Sequence, residues 1–293
     1  QAKKLGGTYR DLYPDEETPW SKANADVLEA WHKAHSSNDV FHELRMIKWL
    51  LILPQLLLRP SNRGRMKTRR RRVVVRLGRF DRRELTELLL DWQHDLERVT
   101  GGDDDDDSNV MDSVMELLRN LQYSKGVRLT VSVGLGDLTD EVILEQMQVK
   151  HPERRQPLAR SSLEHRGERL VPKCGALLRT LKRWKAAGPG GLRNEHLFRA
   201  ATNSAHGGRF VLMFDLLAAA RVNDELHDTV NVMLSSGSLV APIKREPAAG
   251  ETPDCRPLTC PRPLDGVIAK AVFEKKKREM QALMEPQQLG VGT

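Results

Sequence analysis

Cysteine is scarce in this chain. The three that occur in 293 residues, Cys174, Cys255 and Cys260, form no C-x-x-C spacing and are odd in number. That suggests neither a disulfide framework nor a zinc ribbon and favours a reducing compartment, with the location, intracellular, nucleus or an organelle, left open by the sequence. Aromatic residues are few as well, 5% against 30% charged, a balance that favours helices with thin apolar stripes over a β-sandwich. The longest apolar run, WLLILPQLLL from Trp49 to Leu58, is interrupted by Pro54. It is too short to cross a bilayer, so no membrane span is predicted and a core helix ending near the proline is expected. The N-terminal QAKKLGG holds neither an initiating Met nor a signal-peptide apolar region, and the chain is expected to be processed or part of a longer one.

What is abundant is positive charge. The net charge is +7, and between Arg63 and Arg83 eleven Lys and Arg face the single acid Asp81. Such a density holds phosphates by counterion release whatever the base sequence. Arg63, Arg65, Lys67, Arg69, Arg70, Arg71, Arg72 and Arg76 are therefore candidate nucleic-acid contacts, with a solvated loop or a nuclear-targeting tract as the alternative reading.

Composition shifts divide the chain. Residues 1–99 read as a basic helical region: Phe41, Leu44, Ile47, Leu50 and Leu51 recur at helical spacing, and Leu85, Leu88, Leu89, Trp92, Leu96 and Val99 form a second stripe. Residues 100–109 contain paired glycines and the run Asp103–Asp107, whose mutual repulsion predicts a flexible linker rather than a cation site. Residues 110–169 are a connecting region. It holds a helix to about Gln122, an alternating stretch Val127, Leu129, Val131, Val133 that could be a strand, and LTDEVILEQMQVK as a capped helix ending before Pro152.

Residues 170–293 are more specific. VPKCGALLRTLKRWKAAG predicts a basic helix, followed by Gly188, Pro189, Gly190 and Gly191 and a further helix. A glycine turn before a helix N-terminus suits close backbone approach to an anion, although from these residues alone a plain turn between helices is the better reading. Two helices follow, then a short strand from Ser238 to Ile243 running into Lys244 and Arg245, then DCRPLT, and a helix bearing Lys270 that leads to EPQQLGVG.

The order GPGGLRNEHL, LVAPIK, CRPLT, IAKAVFEKKKREMQALMEPQQLGVG resembles the fingers and early palm of the reverse transcriptases encoded by non-LTR retrotransposons. The likeness covers Leu170 to Thr293, with looser motifs upstream. It implies an α+β chain, predominantly helical, with a truncated fingers subdomain and a small antiparallel sheet over residues 170–293. It implies that Arg256 touches a nucleotide triphosphate, a role suited to its fork of N–H donors. Lys244 or Arg245 would reach phosphate, Glu246–Asp254 would form the fingertip, and Gly188, Gly190 and Arg193 would lie along a template backbone. From the residues alone, Arg256 could instead cap a helix or pair with Asp254 or Asp265.

In that family, catalysis uses two Mg²⁺ ions on palm aspartates beyond the QLGVG motif, and this sequence stops at Thr293. The expectation is no cofactor or metal in this chain, Mg²⁺ entering only if a palm follows, and no catalytic residue. Asp215 in MFDLLAAA superficially matches a catalytic aspartate but sits at helical spacing ahead of the RPL loop. Three functions are consistent with this. One is a reverse-transcriptase-derived nucleic-acid-binding protein, RNA favoured over DNA, either alone or as a structural subunit of a larger assembly with other proteins. The others are the N-terminal fragment of an active RNA-directed DNA polymerase, or a protein scaffold without nucleic-acid contact.

Overall fold

The computed structural model describes residues 8–9, 12–59, 66–99, 136–150 and 169–284, less 184, 186, 236, 246 and 249. Arg63 and Arg65, the acidic run, the expected helix to Gln122, the alternating stretch at 127–133 and the QLGVG motif lie outside these residues. In chain order the elements are helices α1 (Pro14–Ser36), α2 (Val40–Leu58), α3 (Met66–Asp81), α4 (Leu85–Val99), α5 (Glu141–Lys150) and α6 (Gly175–Arg179), then a 3₁₀ turn at Pro189–Gly191. Next come α7 (Asn194–Thr202), α8 (Gly207–Val222) and α9 (Asp228–Ser235), strands β1 (Ser238–Val240) and β2 (Leu258–Cys260), and α10 (Pro263–Met284). The described residues are therefore predominantly helical with a two-stranded antiparallel sheet, an α+β arrangement.

Two compact units share the chain, and their boundaries are not those read along the sequence. The first gathers residues 1–97, 163–237 and 261–293; the second gathers 98–162 and 238–260. The N-terminal region is no separate domain, because its apolar faces close on later helices. Trp20 of α1 is fully buried and donates from its indole nitrogen to the His196 carbonyl of α7 at 3.0 Å, and Ser21 donates to the Ala200 carbonyl at 2.8 Å. Trp31, Leu53, Leu56, Phe210, Phe214 and Leu217 belong to the same core.

Local chemistry explains the helix ends. The Tyr13 backbone N–H donates to Glu16 Oε2 at 2.9 Å, and Asp15, Glu16 and Glu17 place negative charge at the start of α1, where the helix dipole favours it. Asp39 caps α2 by accepting from the His42 N–H at 3.0 Å. Contrary to expectation, α2 does not end at Pro54 but continues to Leu58. An interior proline costs about 3 kcal/mol, but Leu53, Leu56, Leu57 and Leu58 are all fully buried, each contributing about 2 kcal/mol, so packing wins. At the other end of α2, Phe41 is 80% exposed, outside the core stripe that holds Ile47 and Leu50. Leu89 of α4 likewise faces outward while Leu88 is buried.

The basic helix expected from Val171 onward shortens to the five residues of α6. Thr180 bonds back to the Ala176 and Leu177 carbonyls, and the Lys182 carbonyl is taken at 2.7 Å by the Asn194 side chain instead of a helical N–H.

In the second unit β1 pairs with β2 in the register Ser238↔Cys260, Leu239↔Thr259, Val240↔Leu258, and a bridge joins Ile243 to Cys255. Asp140 starts α5 by accepting from the Val142 N–H at 2.8 Å. Ile143 and Met147 of α5 pack with Ala241 and Cys255 of the ribbon to form this unit's small core.

Candidate phosphate site and nucleic-acid interface

The ribbon from Ser238 to Cys260 has two unlike faces. Ala241 and Cys255 are buried against α5, with Leu239 and Ile243 packed beside them. The ladder continues past the bridge, with the Lys244 N–H donating to the Asp254 carbonyl at 3.0 Å and the Arg256 N–H to the Pro242 carbonyl at 2.9 Å. Side chains alternate along such a ladder, so Lys244, Asp254 and Arg256 share the face opposite the apolar one. The antiparallel ribbon and its turn at Gly250, whose φ is +79°, thus occupy the stretch expected as a fingertip.

The charges on that face are arranged around one carboxylate. Asp254 accepts from Lys150 at Oδ1 (2.6 Å) and from Lys244 at Oδ2 (2.5 Å), and Lys150 also donates to the Cys255 carbonyl at 2.8 Å. The hydrogen bond from Lys150, then that from Lys244, holds the Asp254 carboxyl down to about 2. Arg245 pairs with Glu251, which also accepts from the Ala248 N–H at 3.0 Å, so Arg245 closes the loop on itself. Arg256 is exposed and has no side-chain partner among the described residues. The carboxylates it could have paired with are otherwise engaged, Asp254 by the two lysines and Asp265 by Arg221.

Lys150 was absent from the sequence-based candidates. Its signal was nevertheless present: Ile143, Met147 and Lys150 lie four and three residues apart, on the one stripe of α5 that turns to the ribbon.

The basic tract is a helix with an inner and an outer part. Val73, Leu77 and Phe80 of α3 are buried, and Phe80 meets Trp49 edge-on with centroids 6.2 Å apart. Arg76 falls on the same stripe and is 5% exposed, which corrects the expectation that it faces nucleic acid. Its guanidinium donates to the carbonyls of Arg59 (2.8 Å) and Leu57 (3.3 Å), while Arg59 donates to the Leu56 carbonyl at 2.6 Å and Asp95 Oδ2 at 2.6 Å. Two arginines thereby satisfy the orphan carbonyls at the negative end of α2. Burial first, then the neighbouring Arg59, lowers Arg76 to about 10.

Further along, Arg79 lies beside Glu84, Glu87 and Asp91, Arg82 pairs with Glu84, and Arg83 lies 3.9 Å from Asp26. These cations serve the fold. Arg71 and Arg72 are exposed, and the side chains of Lys67, Arg69 and Arg70 lie outside the described residues. Residues 63–72 contain seven cations and no acid in sequence.

The glycine turn also departs from its expected use. Gly190 and Gly191 both have φ of +78°, and a Cβ on Gly190 would lie 2.5 Å from the Leu51 carbonyl oxygen. One on Gly191 would lie 2.6 Å from Thr8 Cγ2, and one on Gly188 2.6 Å from Pro263 Cδ. The close approach that these glycines permit is to the chain's own helices, not to an outside backbone. Arg193 donates from Nε to the Thr8 carbonyl at 3.3 Å, and its backbone N–H donates to His196 Nδ1 at 3.3 Å. With Nδ1 accepting, His196 Nε2 carries the hydrogen donated to the Tyr9 carbonyl at 2.6 Å.

Asp215 accepts from the Cys174 N–H at 2.7 Å, and burial raises its carboxyl above the usual range. The Cys174 thiol is pushed up to about 12, by burial first and by Asp215 second, which leaves it protonated and unreactive at neutral pH. Among the described residues no cluster of His, Cys, Asp and Glu could hold a metal, and no helix is long and apolar enough to cross a membrane. No family model, curated protein or solved structure matches the chain.

Proposed function

We propose that this chain is a reverse-transcriptase-like nucleic-acid-binding protein, with RNA the favoured partner. The observation that carries the reading is the ribbon, whose polar face places Lys244 and Arg256 together beside a tight loop, as a phosphate-contacting hairpin requires. The N-terminal part of the basic tract supplies the sequence-independent contacts, since its cations have no acid among them. RNA is preferred over DNA because the enzymes that the motifs resemble copy RNA.

Fluorescence anisotropy with a mixed-sequence single-stranded RNA, titrated across salt concentrations, tests this. Affinity is expected to fall as salt rises. Replacing Arg69 through Arg72 with Ala should weaken binding to all sequences alike and flatten the slope of log K against log salt by up to about 3. Salt-insensitive binding would sink the phosphate-contact reading and leave a protein scaffold, and an unchanged slope in the quadruple variant would remove the tract from the interface.

A further inference from the structure

We infer that the outer face of helices α3 and α4 is a docking surface for a second copy of this chain, with α3 of one copy lying along α4 of the other. The inference goes beyond the nucleic-acid reading and does not depend on it.

The first reason is what this face leaves uncovered. Val74 and Val75 of α3 are 38% and 47% exposed, and Leu89 and Leu90 of α4 are 36% and 51% exposed. Single exposed apolar residues are ordinary, whereas pairs of them on two consecutive helices mark an interaction surface. Arg71, Val75, Gly78 and Arg82 recur at helical spacing along one stripe, opposite the buried stripe of Val73, Leu77 and Phe80. Among the described residues, a Cβ on Gly78 would meet only the Arg82 guanidinium, at 3.3 Å. Glycine disfavours a helix interior, and no other group of the described chain uses the space it leaves, which is room for the close approach of an outside helix.

The second reason is charge, which selects the occupant. On α4, Glu87 and Asp91 lie beside Leu90 in sequence and are 60% and 51% exposed. Glu84, Glu87 and Asp91 share the guanidinia of Arg79 and Arg82, so three carboxylates against two cations leave one negative charge. The α3 stripe holds no acid, and its Arg71 is exposed without a side-chain partner among the described residues. A surface that is basic and apolar on one helix and acidic and apolar on the next complements a twofold copy of itself. α3 set against α3 would instead oppose arginine to arginine. A nucleic acid would meet Glu87 and Asp91 as like charges and leave the valines and leucines in water.

Size sets the strength. The 16 residues of α3 span about 24 Å, and two helices side by side are about 20 Å wide, so the pair of copies buries roughly 1,000 Å² in all. That is small for a stable complex, and reversible self-association in the micromolar range or weaker is expected.

Sedimentation velocity of the nuclease-treated full chain, at about 1 to 500 μM, tests this, the nuclease removing any bridging by nucleic acid. The parent chain should shift from monomer toward dimer as concentration rises. Val75→Glu and Leu90→Lys should each weaken dimerisation at least about tenfold, because each sets a charge against an apolar surface. Both positions are exposed, so both variants should melt like the parent. Mixed in equal amounts, the two variants should dimerise again. The carboxylate introduced on α3 of one copy then meets the ammonium introduced on α4 of the other, while the second contact keeps its native Val75 and Leu90. Val232→Glu, on an exposed residue of α9, should dimerise like the parent.

A parent chain that stays monomeric throughout overturns the inference, as does either single variant dimerising as well as the parent. Equal weakening by Val232→Glu would reduce the association to unspecific stickiness, and a mixture that stays monomeric would exclude α3 lying on α4; both results overturn it too. The salt-dependent RNA affinity described above is a separate measurement and decides the nucleic-acid reading alone.

Discussion

Arg76 and Arg256 carry the same side chain into opposite surroundings, and their substitutions should read out differently. Arg76→Met removes the donor to the Leu57 and Arg59 carbonyls at the end of α2. A buried carbonyl left without a donor is costly, so a loss of about 2–4 kcal/mol is expected in urea unfolding. Arg256 is exposed, and Arg256→Ala should change stability by no more than about 0.5 kcal/mol. Thermal melting that shows a large loss for Arg256→Ala would place the residue in the fold after all. Asp254 offers a pH test. Its carboxyl lies at about 2 against an ordinary 3.8, so the unfolded chain binds the proton more readily. The contribution of its pairing to stability is therefore complete above the ordinary value and is lost as pH falls through about 2. A ¹³C carboxyl titration of Asp254 should show a midpoint near 2, and a midpoint near 4 would mean that the lysines are not on it.

At the scale of elements, spacing predicted more than composition did. The period of Val73, Leu77 and Phe80 already places Arg76 on the buried side of α3, and that of Ile143 and Met147 places Lys150 toward the ribbon. Counting charges along the tract hides this, because a count treats eleven cations as equivalent. The glycine turn is the opposite case. Positive φ at Gly190 and Gly191 follows from their residue type, but whether the open side faces a ligand or Leu51 is set by where α2 comes to rest. Gly190→Ala should destabilise the first unit by at least about 1–3 kcal/mol from backbone strain alone, with the clash at the Leu51 carbonyl added. Urea denaturation measures it, and a neutral result would mean that α2 does not pack on the turn.

For the whole molecule, the discontinuity of the first unit has a consequence for folding. Trp20 and Ser21 find their hydrogen-bond partners on α7, more than 170 residues away. A chain ended at residue 99 leaves that face of α1 uncovered and is expected to lose cooperative unfolding. A sharp two-state transition in that shortened chain, followed by circular dichroism, would contradict the division of the units. The net charge of +7 acts at this scale too, through salt-dependent attraction to polyanions rather than through the fold.

From the sequence by itself came the helical class, a Thr or Asp cap at the start of α5 and the clustering of charge, because each depends on residues close together in the chain, whereas the antiparallel ribbon was implied by the resemblance. The order of motifs likewise supplied the resemblance on which the functional proposal rests. Only the tertiary structure separated the cations that the fold consumes, Arg59, Arg76 and Arg79, from exposed Arg71 and Arg256. It alone brought Lys150 to Asp254, 104 positions away. Burial and pairing are set by which surfaces meet, and that meeting is a property of the packed chain rather than of any local stretch.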